Sequence, residues 1–398
     1  MTGSTDHLDV IVVGAGPAGC AAAYDLADAG LSVRLLDRKS FPRPKPCAGA
    51  VTVKALKRLR YSIAPVVRYV ARDLEVTLRG ERVRHFRSRH PVIAMTVREE
   101  LDTFCLEATR ARGADFRITR DIAEIIEDES GVTLVTSEGD SLRAAFIVGA
   151  DGANSRVRKL IGDARVARAW ALEGDVDARS AKALRVTRFD FAQVANGYGW
   201  VFPKGDHLNV GLYARSPEAA FGPADVIGYA RQVLGTEDVG RIVGHPLGVG
   251  GETYAPARRV FLTGDAAGGA EPMLGEGIHN AIKSGQLAAE AIVGEVRGGV
   301  DAQTTYRRRL KAIRADLRAC AMASDWFYRR QPRGFRGLSN RVARTSLMRG
   351  FAAGKTFHDI FWTFPLSPFY AIDPVETLAQ FERESGQVAS ELAITRAG

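Results

Sequence analysis

Three glycines, Gly14, Gly16 and Gly19, lie between a short apolar run and a stretch of helical composition, and they constrain the fold of this chain more strongly than any other feature. The run "LDVIVV" (8–13) is typical of a buried parallel strand, and "PAGCAAAYDLADAG" (17–30) is typical of a helix. In such a unit the first glycine makes a tight turn, the second lets the backbone approach a pyrophosphate, and the third lets the helix pack on the strand. The sequence therefore predicts a Rossmann-like unit that binds a dinucleotide.

A second strand supports this prediction. The segment "LSVRLLD" (31–37) ends at Asp37, 23 residues after Gly14. This is close to the usual position of a carboxylate that accepts a hydrogen bond from a ribose hydroxyl. The motif by itself fits NAD(P) and FAD equally, so the choice between them depends on later segments.

Two later segments repeat the pattern of a buried strand followed by a glycine-rich turn. "GADGANSRVRKLIG" (149–162) places Asp151 after one apolar run, and "FLTGDAAGGAEPMLGEGIHNAI" (261–282) places Asp265 after another. Together with the first glycine motif, they resemble the three fingerprints of the FAD-dependent, p-hydroxybenzoate-hydroxylase-like oxidoreductases, in the same order.

This resemblance implies FAD as the cofactor and gives several positions a role. Asp265 would accept hydrogen bonds from the ribitol chain, and the backbone N–H groups of 275–277 would face the flavin pyrimidine ring at the positive end of a helix. Arg98 would lie near the FAD phosphates, with a surface position at a helix start as the alternative. The residues expected to contact FAD are Gly14, Gly16, Ala18, Gly19, Asp37, Arg38, Lys45, Cys47, Ala48, Gly49, Arg98, Asp151, Gly264, Asp265, Pro272, Gly275, Glu276, Gly277 and Ile278.

Two further stretches resemble the geranylgeranyl reductase family within this class. "KPCAGAVTVKAL" (45–56) is similar to the family's KPCGGG stretch, and "GYGWVFPKGDHLNVGL" (197–212) is similar to its P-x-x-Y-x-W-x-F-P segment. Ala195 stands where the family has the leading proline, and Ala48 replaces a glycine. The extra methyl group of Ala48 puts the identity of the substrate in question more than the fold.

The resemblance places Cys47 and Gly49 over the isoalloxazine ring, and two roles of Cys47 stay open. Its thiol could donate a proton near the site of hydride transfer, or it could only pack against the ring edge. Tyr198, Trp200 and Phe202 alternate along an expected strand and therefore share one face. A plain sheet core would show the same pattern, but the resemblance favours the wall of a pocket for a prenyl chain. Tyr198 is then a second candidate proton donor.

The resemblance implies an FAD-dependent reductase that saturates C=C bonds of a prenyl substrate by hydride from reduced flavin. NAD(P)H or ferredoxin would be the electron donor. A flavin-dependent monooxygenase, acting on an aromatic molecule or on a residue of a partner protein, is the first alternative, because one fold supports both chemistries. A flavin-binding accessory or maturation protein is the second alternative.

The net charge of +9 is concentrated in residues 301–350, which contain twelve arginines and Lys311 against three aspartates. A solvated pair of helices is one interpretation. Because "DWFYRRQPRGFRG" (325–337) mixes aromatic residues with arginines, a surface for anionic lipid, a phosphate-bearing substrate or a protein partner is the other. No recognition motif accompanies the charge, so we expect no nucleic-acid partner.

The cysteines and the apolar runs indicate the cellular compartment in which we expect the protein. Cys20, Cys47, Cys105 and Cys320 show no metal-ligand spacing, so we expect neither a disulfide scaffold nor a metal site. No apolar run is long enough to span a membrane, and "MTGSTDHLDV" lacks the pattern of a signal peptide. We therefore expect a cytoplasmic protein, with peripheral attachment to a membrane left open.

The predicted fold is α/β, with a discontinuous Rossmann-like FAD-binding domain and an inserted antiparallel β-sheet domain for the substrate. A hairpin around Gly80 belongs to the inserted domain. A helical, Arg-rich region follows. The expected bounds are 1–70, 92–165 and 255–300 for the FAD-binding domain, 71–91 and 166–254 for the inserted domain, and 301–398 for the helical region.

Overall fold

A computed structural model describes residues 8–163, 166–181, 186–216, 219–256, 258–363 and 369–395; most of the stretch inspected for a signal peptide lies outside them. The strands are β1 (Leu8–Val13), β2 (Val33–Asp37), β3 (Ala50–Thr52), β4 (Val67–Ala71), β5 (Leu74–Leu78), β6 (Glu81–Phe86), β7 (Ile93–Thr96), β8 (Asp115–Ile118), β9 (Ile122–Glu127), β10 (Val132–Thr136), β11 (Ser141–Gly149), β12 (Ala167–Asp177), β13 (Thr187–Phe191), β14 (Gly197–Pro203), β15 (His207–Ala214), β16 (Val243–Val249) and β17 (Val260–Leu262). The helices are α1 (Pro17–Asp28), α2 (Val53–Leu56), α3 (Arg98–Ala111), α4 (Arg156–Leu160), α5 (Pro223–Leu234), α6 (Ile278–Val296), α7 (Ala302–Arg309), α8 (Lys311–Arg329), α9 (Gln331–Leu338), α10 (Arg341–Ala353), α11 (Phe357–Trp362) and α12 (Glu376–Thr395).

The first sheet contains the predicted dinucleotide-binding unit. Its strand order is β8-β2-β1-β11-β10-β9, with β17 beside β11, and β1 runs parallel to both β2 and β11. Val10, Ile11 and Val12 are fully buried, because a central parallel strand is covered on both faces. Helices α1 and α6 pack against each other and against β11. The Rossmann-like fold is confirmed.

The second sheet has the order β16-β12-β15-β14-β13-β5-β6. Its pairs are antiparallel except for β13 with β5, which run parallel, so the sheet expected to be antiparallel is mixed at one pair. The predicted hairpin around Gly80 is present as β5 and β6. This hairpin joins the edge of a sheet whose other strands come from much later in the chain. Because no tight turn connects β5 to β13, nothing forces that pair to be antiparallel.

A third sheet of three short strands, β3-β7-β4, was not predicted. Strand β3 is only three residues long, which is too short for a periodic signal. It begins directly after the loop that carries Cys47 and Gly49, and it pairs with β7. The third sheet therefore fixes the position of this loop.

The C-terminal helices close over the second sheet. The ring of Phe327 on α8 lies with its centroid 4.7 Å from that of Phe191 on β13. Phe335 on α9 and Met348 on α10 belong to the same buried cluster as Tyr198. Within the described part of the chain, no helix combines the length and the apolar character needed to cross a membrane. The domain bounds given above stay predictions.

Candidate active site

A cavity of about 770 Å³ lies where the first sheet, the second sheet and the C-terminal helices meet. It is lined by all predicted site residues except Gly19 and Pro272. A Cβ on Gly19 would overlap the carbonyl oxygen of Gly14, which is the packing role expected for the third glycine. The Pro272 carbonyl accepts a hydrogen bond from the Tyr213 hydroxyl over 3.1 Å. These two residues therefore lie behind the residues that line the cavity and help to hold them in place.

The turn after β1 is open on its cavity side. Gly14 has a φ of +101°, and a Cβ there would lie 2.5 Å from the carbonyl oxygen of Ala150, so only glycine fits. In contrast, a Cβ on Gly16 would find no atom nearer than Nη2 of Arg43, at 3.9 Å. The space in front of Gly16 can therefore admit a ligand close to the backbone.

The Asp37 carboxylate holds this turn from the end of β2. Its Oδ2 accepts from the Ala15 backbone N–H over 2.9 Å, and its Oδ1 accepts from the Lys39 backbone N–H over 3.0 Å. Asp37 also lines the cavity, as the prediction of a ribose-binding carboxylate requires. That ribose role stays a prediction.

Two arginines lie beside the turn. The buried Arg98 guanidinium donates from Nε and Nη2 to the Asp102 carboxylate over 2.8 and 2.9 Å. Arg43, which was not predicted, has its Nη2 3.4 Å from Asp102 Oδ2. Its Nε is buried and finds no acceptor among the described residues. A buried donor without a partner beside an open glycine turn fits an anionic oxygen such as that of a phosphate.

The third motif forms another part of the wall. Asp265 is enclosed, and its Oδ2 accepts from the Gly248 backbone N–H over 3.2 Å. Burial raises the pKa of Asp265, although Lys45 and Arg98 oppose the shift. Gly277 precedes the first turn of α6 and lines the cavity, whereas the Gly275 and Glu276 N–H groups donate to Glu271, so the contact of these N–H groups with the flavin stays a prediction.

Glu276 and Asp151 contribute to the fold as well as to the cavity wall. The Glu276 carboxylate contacts Lys54 Nζ over 2.9 Å and accepts from the His279 backbone N–H over 2.8 Å. The Asp151 carboxylate accepts from the Ser155 hydroxyl over 2.6 Å and from the first backbone N–H groups of α4. Both carboxylates therefore stabilise the start of a helix, and their contact with FAD stays a prediction.

The loop 45–49 is held by residues from distant parts of the chain. The Cys47 backbone N–H donates to Glu173 Oε1 over 2.6 Å. Gly49 has a φ of +65°, and its carbonyl accepts from both the N–H and the hydroxyl of Thr96 at 2.9 Å. Lys204 Nζ donates to the Thr96 carbonyl over 2.7 Å. Glu173 and Lys204 thus connect the loop to the second sheet.

The aromatic residues of β14 line the cavity and also belong to the buried cluster of the second sheet, so their role as a wall for the substrate stays a prediction. Tyr198, Trp200 and Phe202 lie on one face of the strand, and neighbouring ring centroids are 6.0 and 6.3 Å apart. The Tyr198 hydroxyl donates to the Leu274 carbonyl over 2.6 Å, and burial raises the pKa of Tyr198. Its proton is therefore engaged with the backbone, and the hydroxyl holds the loop of the third motif.

The residues present fit FAD. Gly16 leaves room for a pyrophosphate, Arg43 offers an unpaired buried donor, and Asp265 offers a fixed acceptor in the same cavity. Residues 7–187 match the family described as FAD binding domain. Over 345 residues the chain is 30% identical to a geranylgeranyl diphosphate reductase of Rhodobacter capsulatus, across 83% of this chain and 87% of that protein. The chain belongs to the geranylgeranyl reductase family.

Other relatives agree with this assignment. A digeranylgeranylglycerophospholipid reductase of Methanopyrus kandleri is 30% identical over 310 residues, across 72% of this chain and 80% of that protein. A geranylgeranyl bacteriochlorophyll reductase-like structure from Thermoplasma acidophilum has a TM-score of 0.68 at 20% identity and covers 98% of this chain and 99% of its own. The p-nitrophenol 4-monooxygenase of Pseudomonas putida has a TM-score of 0.70 at 20% identity, covering 88% and 99%. These structures share the fold, and this member of the geranylgeranyl reductase family is an FAD-dependent oxidoreductase.

Sequence reasoning missed three residues of this geranylgeranyl reductase family site. Arg43 gave no signal beyond its place between two prolines. Glu173 lies 126 residues from its partner Cys47, and Lys204 lies 108 residues from Thr96. Only the position of Lys204, directly after the F-P pair, could have been connected with the family segment.

Proposed function

We propose that this protein is a reductase that saturates C=C bonds in the prenyl chain of a lipid or diphosphate. The observation that carries this proposal is one cavity that joins the three FAD motifs to an aromatic and aliphatic wall. Bound FAD would supply a hydride from its reduced isoalloxazine ring. The chain's own residues would bind and orient the substrate and exclude water from around it.

The apolar lining comes from three parts of the fold. Phe189 and Trp200 contribute it from the second sheet, Ile93 from the third sheet, and Leu347 and Phe357 from the C-terminal helices. A prenyl chain has no polar group, so its binding depends on removing apolar surface from water, worth about 25 cal/mol per Å². Aromatic side chains provide such area at a low entropic cost. The two relatives described above carry prenyl substrates in their names, which supports the same class for this chain.

Cys47 and Tyr198 stay the candidate catalytic residues of the proposal. The Cys47 side chain lines the cavity and is near enough to the Arg98 guanidinium to help raise the pKa of that arginine. Because the Tyr198 hydroxyl is engaged with a backbone carbonyl, we assign Tyr198 mainly to positioning and to the wall. NAD(P)H or ferredoxin remains the proposed electron donor.

Turnover in the absence of oxygen tests the reductase proposal. Protein loaded with FAD and reduced chemically under anaerobic conditions should convert geranylgeranyl diphosphate into products heavier by two hydrogens per double bond, as measured by mass spectrometry. Strict dependence on oxygen, with a hydroxylated product, would replace the reductase by the monooxygenase. Bound flavin without any conversion of substrate would favour the accessory protein.

We also propose that the basic C-terminal helices bind an anionic lipid surface. Four residues recur at three- and four-residue intervals along α8 and therefore share one face: Arg318, Met322, Trp326 and Arg329. The two apolar members are exposed, Met322 by 74% and Trp326 by 48%. Exposed apolar side chains between arginines are typical of helices that lie in a membrane interface.

Helix α11 packs beside α8 and adds two exposed aromatic residues. The His358 backbone N–H donates to Asp316 Oδ1 of α8 over 2.9 Å. Phe361 is 63% and Trp362 is 68% exposed, while Phe357 of the same helix lines the cavity. One helix thus connects the proposed lipid-binding face to the cavity wall, as a substrate held in a membrane requires.

Vesicle sedimentation tests this surface. The double variant Trp326→Ser/Trp362→Ser should bind phosphatidylglycerol vesicles at least about a hundredfold more weakly, because the two lost side chains together remove roughly 3–6 kcal/mol of apolar burial. The matched control Ile118→Ser/Ile126→Ser removes residues of 56% and 46% exposure on the first sheet and should bind like the wild type. Binding should also weaken with salt. Equal binding by both variants, or none by the wild type, would contradict the assignment.

A further inference from the structure

Glu173 is the one charged residue in a row of cavity-facing side chains across the second sheet. The register places Val76, Phe189, Trp200, Gly211 and Glu173 side by side on five neighbouring strands. Partners in such a row point to the same face of the sheet. All but Gly211 line the cavity. The Glu173 carboxyl group therefore belongs to the same wall as the aromatic residues proposed to hold the substrate.

Gly211 brings the Trp200 ring over the neighbouring strand. A Cβ on Gly211 would overlap the Trp200 ring, so the indole occupies the place of the missing side chain. The next member of the row beyond Gly211 is Glu173, which is only 7% exposed. Its carboxyl group is thus largely removed from solvent at the end of this row.

The two carboxylate oxygens of Glu173 differ in their hydrogen bonding. Oε1 accepts from the Cys47 backbone N–H, whereas Oε2 has no hydrogen-bond partner or ion pair among the residues that the structure describes. Two other carboxylates of the cavity, those of Glu271 and Glu276, are engaged more fully. The Glu271 carboxylate accepts from three backbone N–H groups, and the Glu276 carboxylate contacts Lys54.

The charged and titratable groups that face Glu173 leave it partly protonated near neutral pH. Burial raises the pKa of Glu173 to about 7, and Asp175 adds to the shift, whereas Lys204, the Cys47 N–H and Lys45 oppose it. Lys204 is itself buried, with a lowered pKa, and its Nζ donates to a carbonyl. Burial also lowers the pKa of Lys45, to about 8.

We propose that Glu173 holds on Oε2 the proton that saturation of the substrate double bond consumes. The inference rests on the proposed function. One alkene carbon receives the hydride from reduced FAD and the other receives the Glu173 proton, so the π bond breaks and two C–H bonds form. Glu173 is left as a carboxylate and regains a proton from water, and reduced FAD is restored by a hydride from one reduced nicotinamide or by two one-electron ferredoxins and a proton from water.

The protonation of Glu173 can be measured without turnover. Infrared spectra of the FAD-loaded wild type should contain the carbonyl band of a protonated carboxylic acid that is absent from Glu173→Gln and disappears with a midpoint near pH 7. The glutamine keeps an oxygen that can accept from the Cys47 N–H, so the loop is preserved. Asp177→Asn, an exposed position on the same strand, should give the wild-type band. A difference band that titrates near 4.5, the ordinary pKa of glutamate, would overturn the proposal.

Stability gives a second measurement with a defined sign. Because the folded protein holds this proton more tightly than the unfolded chain, the contribution of Glu173 to stability is present below about pH 4.5 and is lost as the pH rises to about 7. The free energy of unfolding of the wild type should therefore fall relative to that of Glu173→Gln across this window. A constant difference between the two proteins would count against the raised pKa.

Anaerobic single-turnover rates test the transfer itself. Glu173→Gln should reduce the prenyl substrate at least about a hundredfold more slowly, the usual scale of a lost general acid, and Glu173→Asp should recover part of the rate. The wild-type rate should fall above pH 7. A wild-type rate in Glu173→Gln would overturn the proton-donor role. If the wild type shows the infrared band but does not reduce the prenyl substrate, the proposed function and the transfer step are refuted. The protonated, buried state of Glu173 would still be supported.

Discussion

Replacing Gly285 by alanine should destabilise the protein and weaken its hold on FAD, although alanine is the better helix former. Gly285 lies in α6 where this helix packs on α1, and a Cβ there would overlap the carbonyl oxygen of Ala18. The Ala22 backbone nitrogen would lie 3.2 Å from it. Both neighbours are backbone atoms, so α1 has to move as a unit. Overpacking of this kind costs roughly 1–3 kcal/mol, and we expect a loss near 3 kcal/mol in the free energy of unfolding.

The displacement should reach the cofactor, because Ala18 lines the cavity and lies one turn after the Gly14 loop. Denaturant unfolding and the flavin content of the purified variant are the measurements. Gly294→Ala, in the same helix, is the matched control, since a Cβ at that position meets nothing within 4 Å. The control should be unchanged or more stable by up to about 1 kcal/mol, the helix-propensity gain of alanine over glycine. If both variants behave alike, the close approach of α1 and α6 is not the reason for the glycine.

These close approaches explain why the first motif could be predicted. Gly14 needs its positive φ for the tight turn, and a Cβ on Gly19 would overlap the Gly14 carbonyl oxygen within the same strand–turn–helix unit, so the spacing of the two glycines carries the information. The hairpin around Gly80 was predictable for the same reason, because a local turn joins two alternating strands. Dinucleotide binding follows from such local patterns, whereas FAD and the oxidoreductase chemistry were implied by the resemblance of three such segments to a known family.

The other half of the site depends on contacts between distant segments. Glu173 meets the Cys47 loop only because β12 pairs with β15, which places its side chain on the cavity face. No spacing rule relates residues 126 positions apart. The Tyr198 hydroxyl shows a second limit of sequence reasoning. The strand pattern predicts which face the ring occupies, but the acceptor of its hydrogen bond, the Leu274 carbonyl, is set by the fold.

The buried pair of Arg98 and Asp102 should be far more sensitive to loss of its carboxylate than an exposed pair of the same geometry. Both Arg98 and Asp102 are almost completely buried, and the guanidinium makes two hydrogen bonds to the carboxylate. Burial would lower the pKa of Arg98, but the Asp102 charge and the Cys47 side chain outweigh it, so the arginine stays charged. Asp102→Asn would leave that charge, and the nearby one of Arg43, without compensation.

We expect Asp102→Asn to lower the free energy of unfolding by about 3–5 kcal/mol, the cost of leaving a buried charge unpaired. Asp25→Asn is the matched control, because Asp25 accepts from Arg60 Nε and Nη2 over 3.0 and 2.8 Å and the Arg60 side chain is 54% exposed. Its loss should cost less than about 1 kcal/mol, since water replaces the partner. Denaturant unfolding of both variants measures the difference. Similar losses would mean that water reaches Arg98 and that its charge does not depend on Asp102.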